Sequence, residues 1–273
     1  MKGRVIAEGL DFPEGPLFDH RGQLWCVELL AGVITRIDDG QPTRFEVGGR
    51  PNGLALSASG DIWYCDAERH EIRVFSPISG ESLCVVTTIN GQTLNAPNDL
   101  AFDTIGNLVF TCPGASRREP TGYVACLTVS GEVKRIADGM LFPNGLAFSG
   151  DGTKLYIAET YAQRIWSGNW DRVTHSWTSD APLFSTPGPN GPDGLAIDAG
   201  GNIYAAIYGQ GQICIADRAG RPLPSLMTDG QNPSNCAFDP SGTLGLVVTE
   251  AETGRLLSYH APAGLRPFFG NRP

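Results

Sequence analysis

One pattern recurs six times along the chain, and it limits the folds open to it. Each copy has an Asn, Asp or Glu, a short apolar strand, a turn ending in Gly, and a second apolar strand. The copies read EGPLFDHRGQLWCVE, NGLALSASGDIWYCD, NDLAFDTIGNLVFTC, NGLAFSGDGTKLYIAE, DGLAIDAGGNIYAAI and NCAFDPSGTLGLVVTE. They begin at Glu14, Asn52, Asn98, Asn144, Asp193 and Asn235, at intervals of 38 to 49 residues. The turn Gly supplies the positive φ that a tight hairpin needs. A third strand follows in most copies, as in ITRID, IRVFS and RIWSGN, and segments such as TRFEV, SLCVVTTI and VKRIA supply a fourth. Four strands in each repeat of about 40–50 residues is the signature of a propeller blade. The expected fold is therefore all-β, a six-bladed β-propeller that forms a single domain over residues 1–273. The N-terminal RVIAEG is expected to complete the last blade and close the ring.

Composition removes several functional classes. The formal net charge of −9 disfavours nucleic acid and anionic membranes as partners. No stretch approaches the roughly 20 apolar residues of a membrane span, and the first residues lack the apolar core of a secretory signal. The 7 cysteines include no CxxC pair and mostly sit in apolar runs such as LWCVEL and SLCVVTTI. Buried, reduced thiols in a cytoplasmic protein are the expectation. A monomer or weak homo-oligomer is expected.

The first strand of a propeller blade lines the central channel, so the residue that opens it points towards the axis. All six opening positions carry a side-chain oxygen. Two readings fit. Pro-Asn-Gly and Pro-Asp-Gly are turn sequences, and five of the six positions follow a Pro: Pro13, Pro51, Pro97, Pro143 and Pro192. Alternatively, carboxylate and amide oxygens converging on an axis suit a hard divalent cation. Glu14, a poor turn former at an Asn position, and Asn98, followed by Asp99 in place of Gly, favour the cation.

The segments PEGPLFD, NAPNDLAFDTIGNLVFT, LFPNGLAFSGDGTKLYIAET and GPDGLAIDAGGNIYAAIYGQG resemble the senescence marker protein, gluconolactonase and luciferin-regenerating enzyme family. Its relatives include regucalcin and a squid diisopropyl fluorophosphatase. The resemblance covers all six repeats. It implies that Glu14, Asn144 and Asp193 bind one channel metal and that Asn98 is a further ligand or a substrate contact, with Asp99 expected as a substrate contact beside it. Asp193 is implied as general acid or base, or as nucleophile. Calcium is the first expectation, with magnesium, manganese, zinc and iron(II) as alternatives. The implied activity is hydrolysis of a small lactone, a sugar lactone above all. The rivals are phosphotriester hydrolysis at the same metal and a propeller that binds ligand or calcium without turnover. Two departures bear on substrate. Sugar-lactonase members carry an Arg where this chain has Ala96. They also carry an acidic side chain in the following loop, where this chain has Ser116, Arg117 and Arg118.

Other chemistry finds little support. None of the four histidines, His20, His70, His175 and His260, opens a repeat, and surface positions are expected. No GxSxG elbow is present. Trp25, Trp63 and Trp166 are expected in the core. Glu28, Asp66, Glu159 and Glu250, near the ends of second strands, are expected as exposed loop charges, with support of the ring from behind as the alternative.

Overall fold

The structure is a computed structural model, and it describes residues 3–179 and 181–270. Among the described residues six antiparallel sheets of four or five strands stand around one axis, and in each the first three blade strands pair in chain order. Their first strands begin at Pro13–Phe18, Pro51–Leu56, Leu100–Phe102, Pro143–Phe148, Pro192–Ile197 and Pro233–Phe238, defining blades 1 to 6. Each first strand lies against the first strands of both neighbouring blades, and that of blade 6 lies against that of blade 1. The second strands, such as Leu24–Glu28 and Ile203–Ile207, are buried apart from Lys154 of blade 4, as strands covered on both faces must be. The segments expected to be fourth strands are Gln41–Glu46, Ser82–Val86 and Val133–Met140. Blade 4 departs from the pattern: its long third strand, Arg164–Asp171, pairs with two short strands, Ser176–Thr178 and Pro182–Ser185.

The ring closes as its sequence implies. Arg4–Glu8 pairs antiparallel with Arg255–Tyr259 and supplies the outer strand of blade 6. Hydrophobic clusters fill all six blade-to-blade interfaces. Leu17, Trp25 and Val27 of blade 1 meet Leu56, Ile62 and Tyr64 of blade 2, and Phe18 and Cys26 of blade 1 meet Val247 and Leu256 of blade 6. No interface is an open edge. Trp25 and Trp63 are buried and Trp166 partly so. Five cysteines are buried, but Cys84 is exposed on the outer strand of blade 2, which corrects the reading of SLCVVTTI as wholly apolar core. Among the described residues no helix is long and apolar enough to cross a membrane.

After Tyr259 the chain turns back beneath the ring. Asp198 bridges to Gly264, Phe102 to Phe268 and Ser57 to Gly270, so this strap touches the far ends of three first strands. Phe268 packs on the clusters on both sides of blade 3, and Phe269 packs on His20 with ring centroids 4.5 Å apart. A cavity of about 360 Å³ lies between the strap and the axial residues Asp99 and Asn235. Phe268→Ala is expected to lower the unfolding free energy by about 1–3 kcal/mol, less than a full core Phe because the ring is half-buried. Chemical denaturation monitored by tryptophan fluorescence measures it. An unchanged midpoint would show that the strap does not hold blades together.

Candidate functional site

Five first strands carry a register shift near their start, as between Glu14 and Leu17 or Pro192 and Leu195, and in blade 3 Asn98 and Asp99 both pair with Thr111 just ahead of the strand. A bulge of this kind re-aims side chains, and here it turns two successive positions towards the channel. The paired second strands fix the blade-to-blade register. Phe18, Phe102 and Phe238 face Leu24, Leu108 and Leu246, so Pro13, Pro97 and Pro233 are equivalent. The upper tier of the channel is therefore Glu14, Asn52, Asn98, Asn144, Asp193 and Ser234. The lower tier is Gly15, Gly53, Asp99, Gly145, Gly194 and Asn235. Asn235 does not open its strand in the sense expected. Ser234 does, its hydroxyl donating to the Pro13 carbonyl at 2.8 Å. The repeats align correctly on the proline, and aligning them on the amide hid the second tier.

The lower tier has room for only two side chains. A Cβ on Gly53 would collide with Asp99, and one on Gly194 would collide with Asn235. Asp99 and Asn235 come from blades 3 and 6, which face each other across the axis. The Asn235 amide hydrogen-bonds both Asp99 and Glu14. Asp99 thus belongs to the floor of the ring rather than to its rim.

Three carboxylates converge here. Burial pushes Asp99 up to about 7, against hydrogen bonds from the Leu100 and Leu146 backbone and from Asn235. Glu14 is raised to about 7 by burial and by the negative charge of Asp99. Asp193 is pushed well above the usual carboxylate range by burial, then by Glu14 and Asp99, and only partly relieved by Asn144. Glu14 and Asp99 are buried, whereas Asp193 keeps partial exposure. Asn144 is oriented from behind. Its amide donates to the Thr160 hydroxyl at 3.1 Å, which in turn donates to the Pro192 carbonyl at 2.8 Å. The amides of Asn52 and Asn98 take part in no side-chain hydrogen bond within the described structure.

Three carboxylates crowded on one axis with amide oxygens beside them form an oxygen donor set, and the residues fit a divalent ion. Among the described residues no group of three or more His, Cys, Asp and Glu is arranged to hold a metal alone. A cation here would therefore take amide oxygen as well as carboxylate. Glu14, Asn98, Asn144 and Asp193 are the upper-tier donors expected from the sequence.

Strained lead-ins and buried carboxylates position this ring. Phe12, Ala96 and Phe142, each preceding the proline of a first strand, have φ of 58°, 46° and 62°, a region costly for residues with a Cβ. Glu28, Asp66, Glu159 and Glu250 are buried rather than exposed, which corrects the sequence reading. Each accepts a backbone N–H just ahead of its blade's first strand: Asp11 at 2.9 Å, Arg50 at 3.0 Å, Leu141 at 2.6 Å and Asn232 at 2.8 Å. His70 serves blade 3, its Nδ1 accepting the Ala96 N–H at 3.0 Å. It is half-buried and structural rather than a surface residue. The rim around the ring is aromatic. Tyr208 stacks on Phe12 with centroids 6.3 Å apart. Its phenol is raised by burial and then by Asp193, Glu14, Glu250 and Tyr161, so it stays protonated at neutral pH.

These shifts set the sign of a pH dependence. A carboxylate whose folded pKa is raised makes the folded state hold more protons than the unfolded state, so stability falls as pH rises from the unfolded pKa to the folded one. The chelated protein is expected to lose stability between about pH 4, the ordinary carboxylate value, and the value of about 7 for Asp99 and Glu14. Added calcium should restore more at pH 8 than at pH 5. Asp99→Asn should flatten the profile of the chelated protein. Equal slopes for Asp99→Asn and wild type in thermal melts would mean that Asp99 is not under this repulsion.

The family described as the SMP-30/Gluconolactonase/LRE-like region matches residues 12–252. A gluconolactonase of Zymomonas mobilis is 29% identical over 70% of the chain, and the match spans only 58% of that enzyme's length. Diisopropyl-fluorophosphatase of Loligo vulgaris is 27% identical over 93% of this chain and 90% of its own. The solved structure of a Xanthomonas campestris gluconolactonase superposes with a TM-score of 0.82 at 26% identity, covering 93% of this chain and 88% of the other. With its repeats, closed ring and axial carboxylates inside the matched span, the chain belongs to the SMP-30/gluconolactonase/LRE-like family.

Proposed function

We propose that the protein is a divalent-metal-dependent lactonase acting on a small lactone, of which a sugar lactone is the leading case, with calcium as the first metal. The observation that carries this is the convergence of Glu14, Asp99 and Asp193 on one axis beside oriented amides, in a chain whose relatives include proteins named gluconolactonase and lactonase. Glu14, Asn98, Asn144 and Asp193 would hold the ion. Magnesium, manganese, zinc and iron(II) suit the same oxygen set less selectively. When bound, such an ion supplies a Lewis acid for the lactone carbonyl and offsets carboxylate charge.

The chain's own residues account for the rest of the chemistry. Asp193, partly exposed at the mouth, takes a proton from the attacking water as its oxygen bonds the carbonyl carbon. The ring C–O bond then breaks, and the proton passes from Asp193 to the leaving alkoxide. Base assistance of this kind is worth about 10²–10⁴-fold. Asn144, fixed through Thr160, holds Asp193 against rotation. Tyr208, protonated beside the two acidic groups, is placed to donate to a substrate oxygen. Asn98, with its amide uncommitted, contacts the metal or the substrate.

One observation favours a second reading, phosphotriester hydrolysis: the near full-length match to the Loligo enzyme, 93% and 90% of the two chains. The same experiment separates the two. Asp193→Asn keeps shape and one oxygen but removes the base and a charge. Turnover of aldonolactones should fall by about 10²-fold or more and stay low at saturating metal, as read by a pH-indicator assay with spontaneous hydrolysis subtracted. Wild-type rates at full metal occupancy would remove Asp193 from the chemistry. Hydrolysis of a chromogenic phosphotriester but of no lactone would favour the second reading. Turnover of neither, with calcium bound, would leave a binding propeller.

A further inference from the structure

Five of the six loops that join second to third strands are four residues long: 29–32, 67–70, 160–163, 208–211 and 251–254. The sixth, 113–121 in blade 3, has nine. All six lie at the end of the channel where the upper tier sits. The long loop is also the one whose blade ends its second strand in Cys112, where four others end in a buried carboxylate. It is tied down instead by Ser116, a fully buried residue. The Ser116 hydroxyl donates to the Pro113 carbonyl at 2.6 Å and accepts the Phe142 N–H at 2.9 Å. That bond fastens the loop to the lead-in of Asn144, two residues away.

Arg117 follows directly. Its guanidinium carbon lies 5.7 Å from the ring centroids of both Phe142 and Tyr161, which meet edge to face at 5.4 Å. Phe142 precedes Pro143–Asn144, and Tyr161 follows Thr160, the residue that orients Asn144. Tyr161 also lies within electrostatic reach of Tyr208, which senses Asp193 and Glu14. Both rings thus stand beside the residues that place Asn144, and the Arg117 guanidinium sits over them at cation–π distance. Its side chain is exposed, and among the described residues it makes no ion pair, even with Glu119 of its own loop. A guanidinium held over aromatic rings and making no ion pair still has N–H donors for contact with an anion. The protein as a whole carries a net charge of −9, so an anionic substrate needs a local cation to approach a ring of carboxylates.

We infer that loop 113–121 is a specificity element and that Arg117 recognises an anionic substituent, a carboxylate or phosphate, on the substrate. The substrate class is then an acidic lactone in preference to a neutral one. This rests on the lactonase reading for turnover but not for binding, and the experiment separates the two.

Three probes are compared: a neutral aldonolactone, its phosphate ester and a carboxylate-bearing lactone. In the calcium-loaded wild type the better of the two anionic lactones is preferred by kcat/KM. Arg117→Ala should reduce the ratio of anionic to neutral kcat/KM by about 10- to 100-fold, mainly through KM, the range of a charge-assisted hydrogen bond. Arg117→Lys should recover only part of it. Raising salt should weaken the anionic preference in wild type but not in Arg117→Ala. Which anionic lactone suffers more distinguishes carboxylate from phosphate. A wild type that prefers the neutral lactone, or an Arg117→Ala ratio equal to wild type, would overturn the proposal. If no lactone is hydrolysed, the lactonase reading fails, and calorimetric binding of the matching neutral and anionic lactams to wild type and Arg117→Ala still decides. Equal affinities in the two proteins would refute the anion site. Matching melting curves verify that Arg117→Ala keeps the fold.

Discussion

Space at the axis governs this molecule. Six first strands meet there, and two successive positions of each face inward, yet the lower tier admits side chains from only two opposed blades. Gly53 and Gly194 leave the room that Asp99 and Asn235 occupy. This crowding removes water from Glu14 and Asp99. Desolvation raises all three axial carboxylates, and their mutual repulsion raises Glu14 and Asp193 further. The fold thus concentrates an unfavourable electrostatic term at the one place where every blade contributes, and the six inter-blade clusters hold the ring against it. A cation is the economical relief for such a centre, since it replaces repulsion with coordination.

The carboxylates at the ends of the second strands show the contrast. Glu28 meets Arg44 at 2.6 Å, Asp66 meets Arg69 at 3.2 Å and Glu159 meets Arg164 at 2.6 Å. Glu250 is satisfied by the Asn232 and Thr253 backbone N–H groups at 2.8 and 2.7 Å. Each also carries a lead-in N–H. They are as buried as Glu14, but every one has donors at hand, so they act as anchors. Glu14 and Asp99 have donors too, but together with Asp193 they crowd one axis and raise one another, whereas each strand-end acid stands alone among its partners and acts as scaffolding.

Much of this was legible in the sequence, because periodicity is a strong signal. The six copies revealed the blade count, the strand order and the closing N-terminal strand, and they brought Glu14, Asn98, Asn144 and Asp193 to one tier. Register within a repeat is a weaker signal. Pro233–Ser234–Asn235 offers two polar residues where the other copies offer one followed by Gly or Asp, and only the pairing of Phe238 with Leu246 settles which of them opens the strand. The buried state of Glu28 and its counterparts was hidden for another reason. Their partners lie both near and far in sequence, as Arg44 does, and an acidic residue at a strand end reads locally as a loop charge. The aromatic rim was likewise invisible, because Phe12, Tyr208, Phe142 and Tyr161 meet only once the ring has closed.

The departures from sixfold regularity carry the individuality of this chain. Blades 3 and 5 lack the acidic anchor, having Cys112 and Ile207 at that position. Blade 3 compensates with several separate devices: the Tyr123 hydroxyl accepting the Asn95 N–H at 3.1 Å, His70 holding Ala96, and Ser116 tying the long loop to Phe142. The small hairpin Thr88–Ile89 with Gln92–Thr93 and the loop 113–121 both flank blade 3. The axis is crowded from every blade, whereas the loop over blade 3 is held by separate side-chain contacts, so this sector departs furthest from the sixfold pattern beside the ring.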